Sequence, residues 1–368
     1  MWKKLLIATL VLLLALVASG AWFLSLVPVS DREKLVQSKK SDIAYLNNAR
    51  AATGGKILAV VTSTNKMGDT DKKTGYELTE LARAYWVFQA NGFEVDIASP
   101  QGGKPPVIID DDDMGIFDFA FLNDEAAQHK VTHSIKIADI NPDDYQGVYF
   151  VGGKGAMFDF PNNLAIQQLI KQHHQSNKVI AAVCHGPAAL VNVILDDGSF
   201  LVDNKNISAF SNSEELFLIP DADDIFPFLL ESKLKQQGAN YQAAANYLEK
   251  ISWEGNLITG QNPWSVWALA EAVVTQLGYQ PMPRIKSPEE NTIDLLAYYQ
   301  QHGFDKTQHY LQASVNIEQQ QVLLLMHAIV ALMEFKVVKS SDLIRLTLSI
   351  KEHIKRHTSS LARDKNNA

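Results

Sequence analysis

The chain has 368 residues, of which 46% are hydrophobic, so it can bury a substantial core in one large domain or two ordinary ones. It carries 33 Lys and Arg against 41 Asp and Glu, a formal net charge of -8, and has no basic stripe that could neutralise phosphates. Nucleic acid is therefore not an expected partner. The single cysteine excludes an internal disulfide, and no clustered Cys and His pattern predicts a metal site.

Residues 1–30 form a long apolar segment that is uncharged from Leu5 onward. This length is enough for a helix to cross a hydrocarbon core of about 30 Å. A cleaved secretory signal, with small residues at 18–20, and a buried helix are the alternatives, but the apolar character continues beyond that site and favours an uncleaved anchor. Lys3 and Lys4 favour a cytoplasmic N-terminus, although further basic residues follow the run. We therefore expect a single membrane anchor with the catalytic domain outside the cytoplasm.

A polar linker, residues 31–54, precedes the start of a folded domain that we place at 55–280. The β-branched apolar run 56–64 is typical of a strand buried on both faces of a parallel sheet. Residues 75–92 have one apolar helical stripe and end in a glycine C-cap, and residues 93–100 are a second strand. The order strand, helix, strand predicts a right-handed parallel crossover.

The same alternation continues along the chain. Further strands are predicted at 146–153, 178–184 and 205–210, a hairpin at 250–260, and helices at 163–177, 226–238 and 265–278. This order predicts an α/β fold with an open, doubly wound and mostly parallel sheet, covered on both faces. Active sites of such sheets lie at the carboxyl ends of the strands. Cys184 and the glycine turn at Gly152 and Gly153 are both predicted to lie there.

Two other segments stand apart from this alternation. The aspartate run 110–113 lacks the spaced pattern of a calcium loop, so we predict a solvated loop and no metal site. Residues 281–368 change in composition and predict an α-helical extension of unknown role. Its helices are expected at 289–301, 305–312, 316–336 and 340–357. Residues 322–335 are apolar on most sides and are expected to be buried against partner helices or another subunit.

Cys184 ends a predicted strand and is followed by His185, Gly186 and Pro187. Proline suits the first position of a helix, so the sequence predicts a sharp strand-to-helix turn, the thiol counterpart of a serine nucleophile elbow. The helix N-terminus would lower the pKa of the thiol from about 8.5. A buried structural cysteine is the alternative. The strand-end position, the adjacent histidine and the facing glycine turn favour a nucleophile.

These motifs resemble a known family. The chain is similar to the ThiJ/PfpI family of the class I glutamine amidotransferase-like superfamily, and within it to the branch of stress-inducible glutathione-independent glyoxalases and chaperones. The motifs are VGGKGAMFDFP (151–161), AAVCHGPAAL (181–190), SAFSNSEE (208–215) and GNLITGQNPWS (255–265), with residues 74–106 similar to the start of the domain. The resemblance implies a flavodoxin-like sheet and covers about residues 55–280.

The resemblance also implies a set of catalytic residues. The nucleophile would be Cys184, with His185 adjacent to it. A glutamate on the first helix near the thiol corresponds to Glu80. The acidic residue that orients the histidine corresponds to Glu215, with neighbouring Glu214 as the alternative.

The resemblance further implies an oxyanion site made of the backbone N–H groups of Gly153 and His185, lined by Gly152 and Gly186. The chain departs from the family at Lys154, where this branch usually has a histidine. Lysine adds a fixed positive charge and does not accept a proton near neutral pH. It would favour an anionic substrate or mark a changed chemistry, and a surface lysine without consequence is the alternative.

Three functions are consistent with this pattern. The first is a glyoxalase-like or deglycase-like conversion of a small-molecule 2-oxoaldehyde into a 2-hydroxy acid, which needs neither metal nor cofactor. The second is amide hydrolysis, although no histidine lies between His185 and His302, as a glutaminase would require. The third is a membrane-tethered stress chaperone or redox sensor. The family resemblance also implies a homodimer.

Overall fold

The computed structural model describes residues 2, 9, 20–27, 32–110, 114–314 and 317–366, with side chains described as far as residue 352. Residues 111–113, the centre of the aspartate run, therefore lie outside the described residues. The chain forms two compact units, one of which is Arg32–Ile285. The other contains the helices after Lys286 together with the described residues before Asp31.

The first unit is built around a seven-stranded sheet. Its strands, together with those of two small separate sheets, are β1 Lys56–Val60, β2 Tyr76–Glu77, β3 Glu94–Ser99, β4 Val107–Ile108, β5 Ile135–Lys136, β6 Gly147–Phe150, β7 Val179–Val183, β8 Asn206–Ile207, β9 Asn240–Tyr241, β10 Ile251–Glu254 and β11 Leu257–Gly260. The order in the large sheet is β10-β11-β7-β6-β1-β3-β5. Neighbours are parallel except β10 and β11, which form the predicted antiparallel hairpin.

The two small sheets pair β2 with β4 and β8 with β9. The strand predicted at 205–210 is therefore short and lies outside the large sheet, with only Asn206–Ile207 in a ladder. Helices of this unit are α1 Arg32–Val36, α2 Leu78–Ala90, α3 Ile116–Leu122, α4 Glu125–Thr132, α5 Ala156–Asp159, α6 Leu164–Gln175, α7 Asn212–Leu218, α8 Ala222–Ile225, α9 Leu230–Gln236 and α10 Val266–Gln276. Helix α9 begins at Leu230, four residues later than the predicted start at 226, and residues 222–225 before that start form the separate short helix α8.

Strand β1 explains why both faces of the sheet are covered. Side chains alternate in direction along a strand. Ile57 and Ala59 accordingly belong to one hydrophobic core, and Leu58 and Val60 belong to the other. The first core includes residues of α2 and α10, and the second includes residues of α6 and α9. The predicted doubly wound, mostly parallel α/β sheet is confirmed.

The strand order also fixes where a site can form. After β1 the chain adds β3 on one side of it and then returns to place β6 on the other side. Ligands bind outside the carboxyl ends of the strands at such a reversal. Gly152 follows β6 closely and Cys184 follows β7 directly, so both lie at this edge.

The second unit is helical, as the sequence predicted for the C-terminal extension. Its long helices are α11 Pro288–Ala313, α12 Gln321–Met333 and α13 Val337–Asn366. Helix α11 begins with a capping box between Ser287 and Glu290, and it is kinked at Gly303, whose φ is 75°. The kink lies between the two helices predicted at 289–301 and 305–312.

Helix α12 buries only part of the apolar segment 322–335 within the helical unit, and burial of the rest against another subunit stays a prediction. Leu324 and Ala328 are buried in the helical unit, whereas Met326, Ile329 and Met333 are 40%, 44% and 60% exposed. The helix thus has one buried stripe and one apolar stripe that faces outward.

The predicted membrane anchor needs correction. Within the described part of the chain, no helix has the length and apolar character that a membrane crossing requires. This finding contradicts the predicted membrane localisation and the extracytoplasmic domain that followed from it. Residues 3–8 and 10–19, which make up most of the apolar run, lie outside the described residues.

Candidate active site

Cys184 lies in a tight turn at the end of β7. Its φ of 58° is in the left-handed region, which costs a non-glycine residue roughly 1–2 kcal/mol. Two backbone hydrogen bonds hold it there: its N–H donates to the carbonyl of Gly260 at 2.9 Å, and its carbonyl accepts from the N–H of Phe210 at 2.8 Å. A side chain at Gly186 would collide with the carbonyl oxygen of Phe150. The turn therefore requires glycine two residues after the thiol.

His185 connects the thiol to a carboxylate. Cys184 Sγ is 3.3 Å from His185 Nδ1, and His185 Nε2 is 2.5 Å from Glu215 Oε2. The three residues are 4%, 2% and 4% exposed. Helix α7 places Glu215 here because the helix begins at the Ser211 cap, which directs the first turn toward the end of β7.

Glu80, in the first turn of α2, approaches the thiol from another side. It is fully buried, and its Oε2 accepts the N–H of Gly152 at 2.7 Å. Its carboxyl also raises the pKa of the Cys184 thiol. A Cβ on Gly152 would lie 2.8 Å from Cys184 Cβ and 2.5 Å from Glu80 Oε2, so only glycine fits between them.

The thiol is less acidic than the sequence predicted. Burial raises the pKa of Cys184 well above its usual value, the Glu80 carboxyl raises it further, and the charge of Lys154 opposes both. The predicted lowering by a helix N-terminus is wrong, because Cys184 is followed by a five-residue 3₁₀ helix, Gly186–Leu190, and not by an α-helix. A thiolate at Cys184 would therefore require transfer of the thiol proton to a neighbouring base.

Glu215 keeps its negative charge in spite of its burial. Burial raises the pKa of this carboxyl, but His185 and the more distant Lys154 outweigh the burial and leave the pKa below its usual value. An ionised Glu215 holds the imidazole in place, and it would stabilise an imidazolium if His185 took a proton.

Glu214 has a different position from its neighbour. It is fully buried and accepts hydrogen bonds from the backbone N–H groups of Ser211 and Tyr247 at 3.0 and 2.7 Å. The side-chain amides of Gln261 and Asn262 each donate to it at 3.0 Å. Glu215, and not the alternative Glu214, therefore contacts His185. Sequence reasoning missed the two amides, although both lie in the quoted motif GNLITGQNPWS.

The turn after β6 is packed against Cys184 at Gly152. Gly153 has a φ of 98°, and a side chain there would collide with the carbonyl oxygen of Gly75. Within the described residues, the backbone N–H groups of Gly153 and His185 donate to no protein acceptor. Lys154 is half-buried, and no described carboxylate lies within 4.0 Å of its ammonium.

Aromatic rings cover the histidine. The ring of His185 lies 4.6 Å from that of Phe210 and 6.3 Å from that of Phe226, centroid to centroid. Phe226 in turn contacts Phe158 at 5.6 Å. Sequence reasoning did not identify these rings, since nothing in the sequence distinguishes them from other buried phenylalanines.

Comparisons with known proteins give consistent results. The family model described as DJ-1/PfpI family matches residues 72–200. Glutathione-independent glyoxalase HSP31 of Saccharomyces cerevisiae is 31% identical over 58% of this chain and 94% of its own length. Glyoxalase 3 of Candida albicans is 29% identical over 60% of this chain and 97% of its own length.

Solved structures agree with these relatives. Rapid Encystment Protein of 24 kDa from Francisella tularensis is 34% identical with a TM-score of 0.57, over 61% of this chain and 99% of that one. Glyoxalase III from Candida albicans is 27% identical with a TM-score of 0.55, over 61% of this chain and 97% of that one.

Proposed function

The chain belongs to the DJ-1/PfpI family, and from this membership we propose that it is a cofactor-independent, glyoxalase-like enzyme that converts a 2-oxoaldehyde into a 2-hydroxy acid. The predicted family is confirmed by a relative that is 31% identical along 94% of its length. The observation that carries the proposed chemistry is the contact series from Cys184 through His185 to Glu215, with Glu80 on the thiol.

The first step adds the thiol to the aldehyde. As Cys184 Sγ forms a bond to the aldehyde carbon, its proton passes to His185, whose Nδ1 is 3.3 Å away. Glu215 stabilises the resulting imidazolium. The aldehyde oxygen becomes an oxyanion, which the N–H groups of Gly153 and His185 stabilise before it takes up a proton. The product of this step is a hemithioacetal.

The second step moves hydrogen between two carbons. A base, Glu80 or His185, removes the proton from the former aldehyde carbon to give an enediol. The same proton is then returned to the neighbouring carbon, the former ketone. The carbon attached to sulfur becomes the carbonyl of a thioester, and the neighbouring carbon carries the hydroxyl. No electrons leave the substrate in this isomerisation.

The last step releases the acid. Water adds to the thioester carbonyl, the carbon–sulfur bond breaks, and the thiol regains its proton. For methylglyoxal the sum is one methylglyoxal and one water giving one lactic acid. The step again develops charge on the carbonyl oxygen, where the same two N–H groups would act.

The test is lactate formation from methylglyoxal by the full chain and by Cys184→Ala. We expect the wild type to form lactate and the variant to lose at least ~10³-fold in kcat/KM, because Cys184 is the only cysteine of the chain and forms the bond to the aldehyde carbon in the proposed mechanism. Cys184→Ser is the matched control for packing and should also be inactive while folding normally. An inactive wild type, or full turnover by Cys184→Ala, would contradict the proposal.

The other functions have less support from the site. A redox sensor needs an exposed thiol with a lowered pKa, whereas Cys184 is 4% exposed and its pKa is raised. Amide hydrolysis uses the same thiol and remains an alternative, which amide substrates assayed in parallel would detect. Pairing into a homodimer remains a prediction.

A further inference from the structure

Lys154 brings a positive charge to the turn beside the Cys184 thiol. It follows Gly153 in the turn after β6, and the backbone of this turn is packed against Cys184 and Glu80 at Gly152. The charge of Lys154 lowers the pKa of both Cys184 and Glu215, which is consistent with its place in the turn beside them.

Some half-buried lysines of this unit are paired with carboxylates, and others, such as Lys171, have no carboxylate partner among the described residues. Lys56 and Lys130 pair with Asp96 at 3.1 and 3.2 Å, and Lys178 lies 3.8 Å from Asp143. Lys154 has no such partner among the described residues. A charged group that is partly removed from water without a partner is unfavourable. Either solvent or a ligand must therefore supply the compensation for this ammonium.

The carboxylates nearest to the thiol do not neutralise the Lys154 ammonium, because each of them has other partners. Glu80 is engaged with the Gly152 N–H, Glu215 with His185, and Glu214 with amide and backbone donors. All three are buried and would repel an anion that approached the thiol. An anionic substrate could be accepted only beside a positive charge, and Lys154 is placed to provide one.

We propose that Lys154 is a specificity-determining residue that binds an anionic group of the substrate, so that the preferred substrate is a 2-oxoaldehyde bearing a carboxylate or a phosphate. This inference rests on the proposed function, because it names the substrate class of the same site. The alternative role for Lys154, stabilisation of the thiolate alone, predicts equal effects on neutral and anionic aldehydes.

The experiment compares two aldehydes that differ in one charge, 4,5-dioxopentanoate and its methyl ester. We expect the full-length wild type to prefer the acid over the ester by about tenfold in kcat/KM, the effect of one charge-assisted hydrogen bond. Lys154→Met should bring this ratio to about one, and Lys154→Arg should retain the preference. Lys171→Met, which removes a half-buried lysine on α6, should also retain it.

Two results would overturn the inference: a wild-type ratio near one, or a Lys154→Met variant that slows both substrates equally. The ratio cancels any general effect of the variant on folding or on the thiol. If the wild type converts neither aldehyde, the proposed function is wrong, but the inference about Lys154 is still open to test. Calorimetric binding of 2-hydroxyglutarate, the dianionic product, then decides the inference, since Lys154→Met should weaken this binding about tenfold and an unchanged affinity would contradict it.

Discussion

At the residue scale, Asp159 is a buried carboxyl that fastens the end of β1 to the turn beside the site. Thr62 Oγ1 donates to its Oδ1 at 2.8 Å and the Ser63 N–H donates to its Oδ2 at 2.7 Å. Burial raises the pKa of Asp159 from 3.8 to about 6, because the hydrogen bonds offset only part of the desolvation. The folded protein therefore binds a proton at Asp159 more tightly than the unfolded chain does.

We expect Asp159→Asn to change how stability depends on pH. A raised carboxyl pKa means that the wild type loses stability as the pH rises from about 4 to about 6, and the full shift corresponds to about 3 kcal/mol. The neutral amide cannot ionise, so relative to the wild type the variant should gain that amount between pH 4 and pH 7. Urea unfolding across this range measures the difference, with exposed Asp139→Asn as control. Parallel wild-type and Asp159→Asn profiles would contradict the prediction.

At the element scale, the beginning of α7 carries two adjacent glutamates with different tasks. Glu214 completes a capping box with Ser211 and joins α7 to the segments that contain Tyr247 and Asn262. Glu215 faces a different direction, toward His185. One element thus fixes the fold and the site through neighbouring side chains.

Substitution by glutamine should separate these two tasks. In Glu214→Gln the new amide would face donors on all sides, and we expect a loss of about 2–4 kcal/mol in unfolding free energy. Glu215→Gln keeps a hydrogen-bonding group beside His185 but removes the charge that stabilises an imidazolium. We expect it to lower kcat about 10²-fold, with a smaller loss of stability.

Chemical denaturation and pH profiles of kcat/KM on both variants provide the comparison. Glu215→Gln should displace the acid limb of the profile, and Glu214→Gln should leave the limb in place. The assignment would be contradicted if Glu215→Gln lost more stability than Glu214→Gln and Glu214→Gln lost more activity than Glu215→Gln.

The sequence predicted those elements that depend on local patterns. The apolar runs of β1 and β7 and the hairpin at Gly255 follow from periodicity and turn chemistry, and the turn at Cys184 follows from its strand end. The sequence predicted an α-helix where Gly186–Leu190 forms a 3₁₀ helix. Proline suits the start of either helix, and no local pattern predicts that the backbone becomes extended at Val191.

The choice between Glu214 and Glu215 could not be made from sequence alone. Adjacent residues on a helix differ by about 100° in direction, so the assignment depends on how α7 is rotated. That rotation is fixed by partners far along the chain, Gln261 and Asn262, which are 47 and 48 residues away from Glu214.

At the scale of the whole molecule, the site and both hydrophobic cores lie within residues 32–285. The length of the apolar segment 1–30 predicted a membrane anchor. No helix of the described residues supports this prediction. Apolar length alone does not distinguish a membrane-crossing helix from other uses of such a segment.

We expect residues 32–285, produced alone, to unfold cooperatively and to keep kcat/KM for the aldehyde within about twofold of the full chain, since a compact unit with its own core can fold independently. Thermal unfolding and lactate formation compare the two proteins. A shortened protein that folds but turns over substrate tenfold more slowly would show that the helical unit contributes to catalysis, contrary to this expectation.

The left-handed backbone at Cys184 has a consequence for how this sequence can change over time. Glycine adopts that conformation without strain, so replacement of the thiol by glycine would relax the turn. The backbone strain therefore opposes the cysteine, and the proposed chemistry, together with the packing of the thiol in the core, is a reason for the chain to retain it. A lineage that no longer needed the chemistry would be expected to lose the thiol early, whereas the surrounding turn glycines would persist for steric reasons alone.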